Sequence, residues 1–412
     1  MFENIIGQIS TVSTIIKEIK NGTLPHSLLF YGPQFSGKLS AALETARSLS
    51  CEYKSAEWGC DCPSCVLNRS LLHPHVLMIG PRYFGTEIVA SGEALKRVRR
   101  LGTRYLFIRA VRKLTRRFDP LIWEGIDNRA TNAAPDIVNI ENELDMLNPN
   151  IELPKDDALE KSIDSITKLS LKVEKKLATN NIAIQQIRNI ALWTHMTSTK
   201  GSKIIILENA DVMQEASSNS LLKLLEEPPD GTYIILITKK RNSLLPTILS
   251  RVRQYPFFMR TKEETDLIIE KIFYEKSGSY ESLQEYFDSW KDVASLAFKK
   301  ASQTFIENIF IEDNRWNDPL LEIDKKLNLF SSRENTKEFI SVLIDTLHFV
   351  LTNQLIKKEN NVLNLPEFFT VERINTLKNI ASNSFTDFIT LNLKPSLVLK
   401  NLLYSMREAV KV

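Results

Sequence analysis

The stretch LLFYGPQFSGK (28–38), running on into LSAALETARSLS, constrains the fold of this chain more than any other. Residues 28–31 are an apolar run of strand type, and residues 38–50 read as a helix. A glycine turn between a strand and a helix aims successive backbone N–H groups, together with the helix dipole, at an anion. The sequence therefore reads as a phosphate-binding loop, with Gly32, Ser36, Gly37 and Lys38 as candidate nucleotide contacts. One position departs from that chemistry. Leu39 stands where such loops normally carry a hydroxyl for magnesium, and an aliphatic side chain does not ligate a hard cation.

Further along, the same alternation continues. VLMI (76–79) reads as a second strand, IAIQQIRNIALWTH (182–195) as an amphipathic helix and KIIILENADVM (203–213) as a buried strand ending in polar residues. ASSNSLLKLLEE (216–227) is a helix stopped by Pro228-Pro229, TYIILIT (232–238) another buried strand, and LPTILSR (245–251) a short helix. Strands alternating with helices predict an α/β fold whose parallel sheet is covered on both faces. From about residue 260 the pattern is almost purely helical. Residues 81–180 interrupt the alternation. Residues 96–117 carry ten Lys/Arg and no acid, 119–157 are acidic and rich in Asn and Pro, and 158–178 read as an ordinary amphipathic helix. This stretch reads as an atypical, partly flexible insertion.

A length of 412 residues with a net charge of +3 is that of two or three domains without a global nucleic-acid signature. The sequence lacks a basic region followed by an apolar run at its start and an apolar stretch of membrane-spanning length, so a cytoplasmic protein is expected. All four cysteines fall between Cys51 and Cys65, a clustering that favours metal over disulfides in a reducing compartment.

In this order, NIIGQ (4–8), LPHSLLFYGPQFSGK (24–38), the cysteine cluster, His73-Pro74, KIIILENADVM, SSNSLLKLLEEPPDGTYIILIT (217–238) and LPTILSR resemble the clamp-loader AAA+ subunits of bacterial DNA polymerase III. NSLLKLLEEPP is the most specific piece. The resemblance covers residues 1–80 and 180–300 and implies three parts. These are an AAA+ P-loop domain with a parallel sheet over 1–260, a small helical lid over 261–302, and an all-α collar that mediates oligomerisation over 303–412. It also implies roles. Glu208 and Asn209 match the Asp-Glu pair with which motor subunits hold magnesium and polarise water. Thr238 matches the sensor-1 position and Lys291 the sensor-2 position, usually Arg. Phe35 replaces a glycine of the motors. Asn209 cannot act as a general base. With Leu39 this predicts weak or absent ATP hydrolysis, and leaves bound ATP or ADP with magnesium open.

Arg251, in Ser250-Arg251-Val252, matches the family's Ser-Arg-Cys finger, which reaches the ATP site of a neighbouring subunit and stabilises charge on the γ-phosphoryl group. Cys51, Cys60, Cys62 and Cys65 resemble the family's structural zinc module, with a middle gap shorter by one residue. The family contains ATPase motors of the gamma/tau type and delta-prime subunits that generally do not hydrolyse ATP. The pattern here implies the delta-prime type: a component of the DNA polymerase III holoenzyme, in a hetero-pentamer with motor and clamp-opening subunits, loading a sliding clamp on primed DNA. Two rival readings are a divergent gamma/tau motor using Glu208 and Ser40, and a DNA-binding adaptor acting through residues 96–117.

Overall fold

The computed structural model describes residues 1–177, 181–196, 201–276, 278–290, 293–309, 323–324, 329–330, 333–355 and 370–411. The chain divides into two compact units, Met1–Trp290 and Lys291–Val412. The first is built on five parallel strands: β1 (Ser27–Tyr31), β2 (Val76–Ile79), β3 (Lys203–Leu207), β4 (Thr232–Thr238) and β5 (Arg253–Pro256), in the order β2-β3-β4-β1-β5. Leu29 lies opposite Leu236, and Ile206 opposite Ile235. The central strands are buried along their length, as their continuous Ile/Leu/Phe runs require when helices cover both faces. The α/β class with a parallel sheet is thus as expected. The edge strand β5 carries no strand signal in sequence, because RQYP opens with two polar residues and ends in proline.

Helix α1 (Ile9–Asn21) precedes β1, α2 (Lys38–Ser50) follows it as expected, and α3 (Pro63–Arg69) lies within and after the cysteine segment. The stretch expected to be partly flexible is instead a helical layer. It holds α4 (Gly85–Arg97), α5 (Leu101–Thr115), α6 (Pro120–Trp123), α7 (Arg129–Asp145) and α8 (Asp156–Leu177). Phe84, Phe107, Val111, Leu114, Ile140, Ile163 and Ile166 from this layer are buried in one core with Leu77, Leu207 and Leu236 of the sheet. Apolar residues at helical spacing bury one stripe each while the remaining positions stay polar.

Helices α9 (Ile184–His195), α10 (Glu215–Glu226) and α11 (Pro246–Leu249) complete the sheet's cover. Then α12 (Lys262–Lys271), capped by the Thr261 hydroxyl and Glu264, and α13 (Leu283–Ser289) form a small aromatic cluster of Phe273, Tyr286 and Phe287 packed on Ala90 of α4. The second unit contains α14 (Val293–Ile309), α15 (Arg333–Leu355), α16 (Val371–Thr390) and α17 (Pro395–Lys411) around Phe305, Phe339, Leu343, Phe388 and Met406. Phe298 and Ala301, within the stretch expected to belong to the lid, are part of this second core. Among the described residues, no helix is long and apolar enough to cross a membrane.

Candidate functional site: a nucleotide loop closed by its own side chains

The loop that joins β1 to α2 has the expected backbone. Gly32 takes φ 144°, and a Cβ there would lie 2.0 Å from the Phe257 carbonyl oxygen. Gly37 takes φ 95° at the N-cap of α2. Phe35 is in the left-handed region at φ 57°, a strained conformation for a bulky residue. Its ring stacks on Phe287 of α13 with centroids 5.1 Å apart. Arg260 donates from Nε to the Phe35 carbonyl (3.0 Å) and from Nη1 to the Ile6 carbonyl, with Nη2 2.5 Å from where a Gly37 Cβ would sit.

Lys38 points into this loop rather than out of it. Its Nζ donates to the Gly32 carbonyl (2.7 Å), the Pro33 carbonyl and Ser36 Oγ (3.2 Å). Burial, with Lys239 nearby, lowers its pKa to about 8. Leu39 is buried among core residues of α2 and β1. Ser36 is turned back onto the Pro33 carbonyl at 2.9 Å.

Glu208, at the end of β3, is buried, and two guanidiniums hold it. Arg82 Nη1 lies 2.7 Å from Oε1, and Arg117 Nη2 contacts Oε2. Arg82 also pairs with Glu87 at 2.7 Å, and Lys113 contacts the same carboxylate. Burial alone would raise the Glu208 pKa, but Arg82 and Arg117 outweigh it and hold the group ionised. In the same way burial opposes, and Lys113 and Arg82 produce, a Glu87 pKa of about 2. A carboxylate that faces two fixed cations has no charge left for a divalent ion. Asn209 sits at φ 51°, its amide donating to the Pro81 carbonyl at 2.5 Å. Thr238 Oγ1 donates to Asp211 Oδ1 at 2.6 Å and accepts from the Lys240 N–H at 2.9 Å. Lys291 lies outside the described residues.

Away from the loop, Arg251 follows α11 at the surface. It contacts Glu226 of α10 at 2.6 Å and its own turn at the Thr247 carbonyl (2.9 Å). Cys51, Cys60, Cys62 and Cys65 are brought together, with all four Sγ atoms within 4.8 Å of one another. The Cys51–Cys60 Sγ distance is 3.8 Å, close to the roughly 3.8 Å edge of a tetrahedron with 2.3 Å Zn–S bonds. The shortened gap is absorbed at Cys62, which is the N-cap of α3 and accepts the Cys65 N–H at 3.4 Å. Burial pushes the Cys62 thiol up, but the N–H groups of Cys65 and Glu52 outweigh it and bring it to about 7. Arg47 of α2 donates to Cys65 Sγ (3.6 Å) and to the Glu57 carbonyl (2.8 Å), tying the module to the helix after the loop.

The basic stretch 96–117 is not a free cationic face. Arg104 donates to the Asn148 and Ile151 carbonyls, Arg109 to those of Asn68 and Arg69, and Arg112 to Glu141 and the Ser70 carbonyl. With Lys113 and Arg117 these are buried side chains. Arg97 and Arg99 pair with Glu275 and Asp156. The rival reading of residues 96–117 as a DNA-contacting helix finds no support in this arrangement, in which Arg112 and Arg99 pair with Glu141 and Asp156 of the acidic stretch. The cations of α5 are spent on carbonyls and carboxylates of neighbouring segments. Arg82, Arg117, Arg260, Phe287 and Glu226 were missed from sequence. Lone arginines and one aromatic in a distant helix carry no local pattern, and only the surplus of cations before Arg117 hinted at buried acids.

A parallel sheet in this order, with a glycine loop between β1 and α2 and an acid at the end of β3, defines a P-loop NTPase-type domain. The sequence model of the family described as "DNA polymerase III, delta subunit" matches residues 7–118 and 128–260. The chain belongs to that family. The match runs through most of residues 81–180, so that stretch belongs to the family's pattern and is not an addition to it. DNA polymerase III subunit delta' of Pseudomonas aeruginosa is 37% identical over 83 residues, 20% of this chain and 25% of that protein. Subunit delta' of Bacillus subtilis is 38% identical over 96 residues, 23% of this chain and 29% of that one. Subunit gamma/tau of Mycobacterium bovis is 40% identical over 73 residues, 18% of this chain and 12% of that one. The matched segments thus span about a quarter of the delta' relatives' length. A solved gamma subunit-related protein of Thermotoga maritima aligns at TM-score 0.42 and 15% identity over 97% of this chain and 99% of that one.

Proposed function

We propose that this chain is a delta-prime-like subunit of a DNA polymerase III clamp loader that does not hydrolyse ATP itself and lends Arg251 to a neighbouring ATPase subunit. The observation that carries the first half is the capture of Glu208 by Arg82 and Arg117. Metal binding and water activation both need that end of β3, where the acid is neutralised and the Asn209 amide is spent on Pro81. Lys38, bonded to loop carbonyls, adds to the same reading. The divergent-motor reading needs Glu208 free, and the DNA-adaptor reading needs the cations of residues 96–117 free. Neither has support.

The second half rests on Arg251, a guanidinium at the surface that follows the Pro-Thr-Ile-Leu turn. Delivered to the γ-phosphate of a neighbour's ATP, it would stabilise the charge of phosphoryl transfer. The partners in this reading are motor and clamp-opening subunits, the sliding clamp and primed DNA. The four cysteines would hold a structural zinc ion as thiolates, with Arg47 supporting Cys65 from outside.

The test is steady-state ATP hydrolysis by the reconstituted loader, with substitutions in this chain only. Arg251→Ala is expected to cut the rate, by roughly a thousandfold at the site it serves, while Lys38→Ala leaves the rate unchanged. Equal losses from both would revive the motor reading.

A further inference from the structure

Glu226 occupies the last turn of α10, where the helix dipole disfavours an acid. It has one visible task. Arg251 Nε donates to Glu226 Oε1 at 2.7 Å, and Nη2 forms an ion pair with the same oxygen at 2.6 Å. On the other side Arg251 Nη1 donates to the Thr247 carbonyl at 2.9 Å and Ser250 Oγ at 3.2 Å. A guanidinium offers five N–H donors. Nε makes one hydrogen bond and Nη1 two, while Nη2 is held against the carboxylate as an ion pair.

The Nε/Nη2 edge is also the one with which arginine grips two oxygens of a phosphoryl group side by side. We infer that Glu226 is a positioning residue that stows Arg251: its carboxylate occupies in cis the guanidinium edge that a neighbour's γ-phosphoryl group must take in trans. This inference rests on the finger reading above. Carboxylate and phosphoryl group compete for one edge, so the finger engages only when the phosphoryl group wins. The pair is partly exposed, with side chains 35% and 45% accessible, so the hold is weak and reversible rather than a lock. Arg251 is thus kept in one orientation, and kept off other anions, until a nucleotide-loaded neighbour arrives.

The experiment adds Glu226→Gln to the reconstituted loader and reads ATP hydrolysis without DNA or clamp, as kcat and KM separately. Glutamine keeps the size and removes the charge. Stowing predicts that kcat rises about two- to fivefold, the range an exposed ion pair can hold back, with KM unchanged. It also predicts that the Glu226→Gln/Arg251→Ala double variant matches Arg251→Ala alone, because the carboxylate acts only through the guanidinium. An unchanged or lowered kcat in a folded Glu226→Gln subunit overturns the inference. So does a rise that survives in the double variant. If Arg251→Ala itself leaves hydrolysis unchanged, the finger reading has failed, and the stowing inference falls with it for a separate, identifiable reason. Thermal melting of the lone Glu226→Gln chain is the check that a lowered rate does not come from misfolding.

Discussion

Two residues decide what the nucleotide loop of this chain does. Glu208 is held by Arg82 and Arg117 in a buried cluster. Removing one partner of a buried pair typically costs about 3–5 kcal/mol, because a charge is left behind without compensation. Arg117→Ala should lie at the low end of that range, since Arg82 stays on Glu208, and should lower the urea midpoint without changing the slope. An unchanged midpoint would mean that the pair does not hold the site together. Lys38 makes a second, pH-dependent prediction. Its folded pKa is about 8, below the ordinary 10.5, because burial disfavours the charged form. Between those values the unfolded chain binds a proton that the folded chain does not, so stability from this group rises with pH across the window. The wild type should therefore gain on Lys38→Met between pH 8 and 10.5. Parallel stability curves would contradict the buried placement.

Among the elements, the cysteine module and α5 show what local sequence can and cannot disclose. Four cysteines within 15 residues announce a metal module, and their sulfurs do converge. Zinc bound there would contribute directly to folding. Elemental analysis should find one zinc per chain, and a strong chelator should lower the melting temperature, with recovery on adding zinc back. A chain that is zinc-free as purified and melts at the same temperature in chelator would remove the module from the account. The basic helix read differently from sequence and from structure because charge runs look alike whether solvated or buried. Arg104, Arg109 and Arg112 find carbonyls up to 47 residues away along the chain, and no local pattern encodes those contacts.

At the level of the whole molecule, four of the five strands and the phosphate loop were legible because β1 to β4 are apolar runs and the loop carries its own glycines. In the helical layer 85–177, α8 was legible as the amphipathic stretch 158–178 and α5 as a basic helix, but α4, α6 and α7 were not, since their apolar stripes are diluted by acids, Asn and Pro. The faults at Leu39 and Asn209 were legible too. The side chains that brace the loop and hold Glu208 were not: Arg260 and Phe287 reach the loop from 225 and more residues further along the chain, and Arg82 and Arg117 reach Glu208 from the opposite direction. The consequence concerns the chain as a unit. On the proposed reading, a loop braced from inside by Lys38 and from outside by Arg260 and the Phe35–Phe287 stack, beside a neutralised acid, would not require magnesium nucleotide. The most direct measurement is titration calorimetry of ATP into the isolated full-length chain, with magnesium and again with EDTA. The account predicts no saturable binding that depends on magnesium. Saturable, magnesium-dependent binding that disappears in Lys38→Ala would contradict it.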